Sequence, residues 1–467
     1  MRRYVFIPLF FLTLVTPFVL RWGLGKSTTT LSGSKDETLI VMTAHFEGIR
    51  REFAEVFTEW HLRKFGKPAY VDYRIYGGSD IPKYFEDAYR VKAPIDIDIV
   101  WGGGDYLFDQ QLKKAGYLQP LDLDPALMAA VFPKPDLNGV TLYDKGSPPA
   151  WFGAALASFG ILYNKDVLKH LGVPEPKTWR DLSDPRYINW IAMTDPTRSA
   201  SAKTVFMVIV ERAMADARAA GRSEDDGWAD GMGLVRQLAA NARLFASSSE
   251  ATPGMVAGGD AAAAMCIDFY GRAQADAIGE RRMGYIEPLG ATAVNPDPIA
   301  LAKGAPHRDL AIHFIEFVLS PEGQLLWNTR PGAPGGPKET ALRRLPIMPS
   351  VYAHSEDFTD QVNPFAQAGG FNTSAARKKT FSILGELIEF SCIDLLDELR
   401  DTRSAILTSP RAAELDAKLG RFPFDQKEAI RRLGEWSAAT QAKRLQLQRR
   451  WTAEFREEYR RLKEEAR

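Results

Sequence analysis

Ile95-Asp96-Ile97-Asp98-Ile99-Val100-Trp101 alternates apolar and polar residues and then stops at Gly102-Gly103-Gly104-Asp105. A period of two is the pattern of a β-strand, and glycines directly after a strand let backbone approach a neighbour or a ligand closely. Two earlier stretches repeat this design. Leu39-Ile40-Val41-Met42 is an apolar run closed by Thr43, a residue type suited to a helix N-cap, and Phe46, Ile49, Phe53 and Val56-Phe57 follow at helical spacing. Val71 to Tyr76 alternates and ends at Gly77-Gly78-Ser79-Asp80, again with a helical pattern behind it. Three strand–loop–helix units in succession predict a parallel sheet with helices on its faces. In such sheets ligands collect at the carboxyl ends of the strands, which is where Thr43, Gly78-Ser79 and Gly102-Gly103 fall.

A second block of the same kind begins near residue 159. Ile188 to Thr194 reads as a strand, and Asp195-Pro196-Thr197-Arg198-Ser199-Ala200-Ser201 opens a long helix through Ala217. Ala261 to Phe269 is a further apolar strand, and residues 309–319 form an amphipathic helix. Two similar α/β blocks joined by extended segments predict two lobes with a cleft between them. After Gln324 the pattern changes. Residues 330–338 are rich in Gly and Pro, residues 376–407 read as helix, and Lys443 to Arg467 is a charged helix with one apolar stripe. The expected division is residues 1–37 as signal or membrane anchor plus tether, 38–155 as the first lobe (completed by about 290–325), 156–289 as the second lobe, and 326–467 as a helical extension on or beside the second lobe.

The chain has 467 residues, 45% of them hydrophobic and 25% charged, which excludes a disordered chain. Lys plus Arg equals Asp plus Glu at 59 each, so no basic excess marks a nucleic-acid binder. The average hides a division. Residues 1–30 carry only basic charges (Arg2, Arg3, Arg21 and Lys26), and residues 421–467 carry 13 basic against 8 acidic. The body between them is therefore acidic. Arg2 and Arg3 precede an uncharged run from Tyr4 to Leu20, near the lower limit of the roughly 17–25 residues that span a hydrocarbon core. An uncleaved anchor and a cleaved signal both place the remainder beyond a membrane, in the periplasm or another extracytoplasmic space.

No G-x-S-x-G, H-E-x-x-H, Walker A or C-x-x-C sequence occurs, which argues against an enzyme. Cys266 and Cys392 are either two buried thiols or one disulfide. His45, in the loop after the first strand, is a candidate ligand contact or a solvent-facing residue. Thr197, Arg198 and Ser199 lie at a predicted helix N-terminus, where free amides and the helix dipole favour an anion. Asp268-Phe269-Tyr270 ends a strand on the corresponding rim, where an acid and a phenol suit an amine, a hydroxyl or a cation. Trp101 and Trp151 are candidate aromatic walls or core residues.

Taken in order, a set of motifs from about residue 38 to 328 resembles the solute-binding proteins of ABC transporters, in the branch containing ferric-iron and phosphonate binders. They are Gly77-Gly78-Ser79, Asp98 to Gly104, Gly160-Ile161-Leu162-Tyr163-Asn164-Lys165, Pro176 to Leu182, Asp195 to Ser199, Asn295-Pro296-Asp297-Pro298 and Leu319 to Gln324. The resemblance implies a hinged, two-lobed periplasmic-binding-protein fold of the α/β class (type II-like), here with an extra, mostly helical C-terminal extension. It also implies ligand contacts at Thr43-Ala44-His45, Gly78-Ser79, Trp101-Gly102, Thr197-Arg198-Ser199 and Asp268-Phe269-Tyr270. Ferric binders of the family commonly carry two adjacent tyrosines at the last position; Phe269-Tyr270 lacks one phenolate, which lowers iron as cargo.

The expected function is extracytoplasmic capture of a small anionic or zwitterionic solute, such as an aminophosphonate, and its delivery to an ABC permease. Arg198 would take the anionic group, and Asp268 with Tyr270 the cationic one. A monomer without cofactor or nucleic-acid partner is expected. The alternatives are a ferric or other metal carrier using His45, Asp268 and Tyr270, a membrane-tethered sensory or assembly protein docking through residues 331–467, and a tethered hydrolase.

Overall fold

A computed structural model describes residues 38–78, 80–92, 94–366 and 375–467. The expected anchor and tether (residues 1–37) and Ser79 lie outside the described residues. Among the described residues, no helix is long and apolar enough to cross a membrane.

Two mixed sheets form the frame. The first contains β1 (Thr38–Thr43), β2 (Tyr70–Ile75), β3 (Ile99–Trp101), β6 (Phe152–Ala157), β12 (Asn295–Leu301) and β13 (Leu345–Pro346). Its order is β13-β6-β12-β3-β1-β2, with β1 parallel to both β2 and β3. A two-residue hairpin, β4 (Asp136–Leu137) with β5 (Val140–Thr141), stands apart. The second sheet contains β7 (Phe159–Asn164), β8 (Ile191–Thr194), β9 (Ala242–Ala246), β10 (Ala263–Ile267) and β11 (Met283–Ile286), in the order β11-β7-β10-β8-β9.

The alternation at 95–101 yields a strand only over Ile99–Trp101, because Asp98 is turned inward. Its carboxylate accepts from the Ile40 amide at 2.8 Å and from the His307 amide at 2.7 Å. The helix behind β1, Glu47–Phe65, starts after Phe46, whose side chain makes no capping hydrogen bond, and Gly66 ends it in the left-handed region with φ 74°. Its inner face carries Ile49, Phe53 and Phe57 into a core with Trp101, Phe317 and Trp327. Burying one such aromatic fully is worth about 1.5–3 kcal/mol.

The chain crosses between the sheets at Ser158, directly joining β6 to β7, and again between β11 and β12. The crossings are tied to each other: Thr292 Oγ1 donates to Phe159 O at 2.7 Å and the Phe159 amide donates back to Thr292 Oγ1 at 3.2 Å. This connectivity is that of a two-lobed hinge fold.

The segment after Gln324 divides between the lobes. Its first part joins the first lobe: β13 pairs with β6, and Trp327, Leu342, Ile347, Tyr352 and Phe358 enter that core. Gln324 fixes the strand, donating to Ala154 O at 2.8 Å and accepting from the Ile347 amide at 2.8 Å. This differs from the expectation that all of 326–467 lies on or beside the second lobe: Leu345-Pro346 pair with the edge of β6, and Leu342, Ile347 and Met348 fill the first-lobe core. The helices from Ala375–Ile388 onward, ending with Gln441–Glu465, merge with the second core through Phe381, Leu384, Leu387, Trp451, Phe455 and Tyr459. The charged last helix is thus a core helix whose stripe is buried. Cys266 and Cys392 are free, buried thiols.

Candidate functional site

A cleft of about 720 Å³ runs between the lobes. Loops at the carboxyl ends of strands build most of both walls, as expected for open α/β sheets, and the start of the antiparallel β12 completes the first. From the first lobe come Ala44, His45 and Phe46 after β1, Gly77 and Gly78 after β2, Gly103 to Tyr106 after β3, and Asn295 to Asp297 of β12. From the second come Pro196 to Ser201 after β8, Ser247 to Glu250 after β9, and Phe269 with Tyr270 after β10. The walls also touch: Phe46 stacks on Phe269 with centroids 6.0 Å apart, and Tyr106 meets Phe381 at 4.4 Å.

The second wall holds the anion-suited groups. The helix Ala200–Ala219 starts at the cleft, with Ser199 as N-cap accepting from the Ala202 amide at 3.2 Å. The turn before it is set by Asp195, whose Oδ1 accepts from the Thr197 amide at 2.8 Å and from Thr197 Oγ1 at 2.6 Å. Helix formation therefore begins after Pro196 rather than at it. Arg198, with a side chain 67% exposed, faces the cleft with Asp195 at 3.5 Å as its ionic partner. Lys203, one turn on, lines the cleft with its ammonium 5.7 Å from the Phe381 ring. Ser199 Oγ and Ser249 Oγ are 2.6 Å apart.

The first wall is built around Asp297. Its Oδ1 accepts from the Gly103 and Gly104 amides at 3.0 and 3.2 Å, and its Oδ2 accepts from Arg344 Nη2 at 2.8 Å. Burial acts to raise its pKa, but Arg344, His45 and the Gly104 amide outweigh it and hold the carboxyl below its ordinary value. The glycine loop, with φ 84°, 106° and 87° at Gly102, Gly103 and Gly104, thus spends its amides on a carboxylate of the protein itself. His45 Nδ1 stands 3.9 Å from Asp297, and the His45 ring packs edge-on against Trp101 at 4.6 Å. Burial above all, with Arg344 and Arg50 adding to it against Asp297, lowers the His45 pKa to about 4, so the ring is neutral near pH 7.

Of the expected contacts, Ala44, His45, Gly78, Thr197, Arg198, Ser199 and Tyr270 line this cleft. Thr43 and Trp101 are fully buried beneath its floor, where Thr43 Oγ1 donates to Trp101 O at 2.8 Å and accepts from the His45 amide at 3.0 Å. Gly102 lies behind His45 and donates to Pro298 O at 2.8 Å. Asp268 faces the hinge instead of the cleft. It is fully buried and accepts from Ser158 Oγ at 3.2 Å, with Arg272 Nη1 at 3.5 Å. Tyr270 Oη donates to Glu250 at 2.8 Å, and burial together with that carboxylate raises its phenol well above the ordinary value. The three groups of the metal alternative therefore do not converge, and among the described residues no group of three or more His, Cys, Asp or Glu side chains is placed to hold a metal ion.

Arg344, Lys203 and Ser247 to Ser249 were not anticipated from the sequence. The serines directly follow β9 and were readable as a strand-end loop. Lys203 is four residues beyond the cap Ser199 and so shares its helix face. Arg344 carries no such signal, because only β13 pairing brings it to the cleft.

The family described as bacterial extracellular solute-binding protein matches residues 97–348, more than half of the chain, and the chain belongs to it. The chain is 24% identical over 229 residues to the phosphoglycerate transport regulatory protein PgtC of Salmonella typhimurium, covering 49% of this chain, and it spans about half the length of that relative. Among solved structures, its fold is similar to the periplasmic binding protein AfuA from Actinobacillus pleuropneumoniae with fructose-6-phosphate bound (TM-score 0.55, 17% identity, 79% of this chain and 97% of that one). It is also similar to iron-bound HitA from Pseudomonas aeruginosa (TM-score 0.50, 19% identity, 78% of this chain and 99% of that one).

Proposed function

We propose that the protein captures a small solute bearing a phosphate, phosphonate or comparable anionic group outside the cytoplasm and delivers it to an ABC permease. The observation that carries this reading is the convergence of Arg198, Lys203 and the amides at the start of the helix Ala200–Ala219 on one wall of the cleft. A helix N-terminus and two cations favour a compact anion. Closure follows from the hinge: a ligand that touches both walls binds the closed form better than the open one and shifts the population towards it. The phosphoglycerate transport regulatory protein PgtC and AfuA with fructose-6-phosphate bound both concern phosphorylated compounds, which agrees with this reading. For a zwitterion, the amine would meet Glu250 and Tyr270, since Asp268 is engaged at the hinge. The protein acts as a monomer in this reading, held near the membrane or released after signal cleavage.

Calorimetric titration with inorganic phosphate, glycerol 3-phosphate, 3-phosphoglycerate and 2-aminoethylphosphonate tests the proposal. At least one should bind, and Arg198→Ala should weaken it about tenfold or more, the loss of one charged hydrogen bond. No binding by the series, or full affinity in the variant, would sink the anion assignment. A regulatory role is the second reading, because the relative is named a transport regulatory protein. Co-purification with a membrane sensor rather than a permease would favour it.

A further inference from the structure

Arg344 is a cation that the cleft receives from beyond the segment in which the family contacts were expected. It is 2% exposed, yet it lines the cavity. Its guanidinium carbon lies 4.7 Å from the Phe269 ring centroid and 5.8 Å from that of Trp327, so aromatic rings from both lobes flank it. Of its five N–H donors, Nη2 goes to Asp297, while the buried Nε has no acceptor within the described protein. A buried donor without an acceptor is costly and invites one from a ligand.

The acids around it offer little. Both oxygens of Asp297 are already engaged, Glu250 accepts from Tyr270 at 2.8 Å, and Asp105 accepts from Asn295 at 3.5 Å. Arg198 and Lys203 belong to the facing wall of the same cavity. We infer that the ligand carries two acidic groups, one for each wall. The tetrahedral phosphate or phosphonate sits at Arg198, Lys203 and the helix start, and a planar carboxylate accepts from Arg344. A guanidinium fork matches carboxylate geometry, and its burial and bond to Asp297 hold Arg344 in place as the specificity-determining residue for that second group. This inference rests on the anion-binding reading above and deepens it to phospho- or phosphono-carboxylates.

The wild-type protein titrated with 3-phosphoglycerate, glycerol 3-phosphate, glycerate and 2-aminoethylphosphonate decides the matter without any variant. Expected is 3-phosphoglycerate binding about tenfold or more tighter than glycerol 3-phosphate, which keeps the phosphate and lacks the carboxylate. Arg344→Gln should abolish that preference, and Arg344→Lys, which keeps the charge without the fork, should retain part of it. Equal affinity for the two phosphates, or tighter binding of 2-aminoethylphosphonate, overturns the two-acid inference and leaves the anion-binding reading standing. Failure of every phosphorylated or phosphonate probe overturns both. A preference that survives Arg344→Gln assigns the carboxylate elsewhere and removes Arg344 from the role.

Discussion

Arg236 Nη1 lies 2.9 Å from both carboxylate oxygens of Glu458, joining positions 222 residues apart. The same guanidinium, fully buried, donates to Leu419 O at 2.6 Å and to Arg421 O at 2.9 Å. One side chain of the second lobe thus ties together two parts of the C-terminal segment, residues 418–421 and Glu458 of the last helix. Glu458→Ala leaves that buried cation without its counter-charge, which costs about 3–5 kcal/mol. A clear fall in the urea midpoint is expected; an unchanged midpoint contradicts the account.

Ending the chain after Ala366 strips Phe381, Leu384, Leu387, Trp451 and Tyr459 from the second core. The expected product is aggregated or binds a hydrophobic dye and loses cooperative melting. A soluble truncated protein with a sharp melting transition would show the helices to be an appendage.

Asp268 offers a test that separates hinge from ligand. Asp268→Asn should lower the melting temperature, because Arg272 and Ser158 lose a buried carboxylate partner at the crossing between sheets. Native melting with lost ligand affinity would return Asp268 to the ligand.

His45 titrates against folding. Its folded pKa is about 4 against an ordinary 6.5, so below pH 6.5 the unfolded chain binds the proton better. The stability this residue secures is complete above pH 6.5 and is lost as pH falls towards 4, about 3 kcal/mol in all. Stability curves of the wild type and His45→Gln should differ in pH slope within that window; parallel curves would mean that His45 is hydrated and free to charge.

Gly102→Ala is expected to be harmful for two reasons. The residue has φ 84°, and an added Cβ would stand 2.9 Å from the His45 ring. The dihedral alone costs about 1–2 kcal/mol, and displacement of His45 should weaken ligand binding as well. Unchanged melting and affinity would count against the close packing of this loop.

The repeating strand–loop–helix order was readable because each unit writes its own local pattern. Asp195 to Ser201 could be placed at the cleft for the same reason, although Asp195 delays the helix to Ala200. What could not be read were side-chain directions decided by distant partners. Asp268 follows its strand as a ligand residue would, yet Ser158 and Arg272 draw it into the hinge. Trp101 and Thr43 occupy expected positions but support the floor from below. Arg344 depends on a two-residue strand pairing with a partner far back in the chain, and no local period announces that contact.

Residues beyond Gln324 supply Arg344 to the first wall and Phe381 to the second. Replacing both side chains by alanine would leave an unfinished receptacle, short of a cation on one side and an aromatic ring on the other. Under the two-acid reading, the choice of cargo would change with those two side chains while both sheets stay as they were.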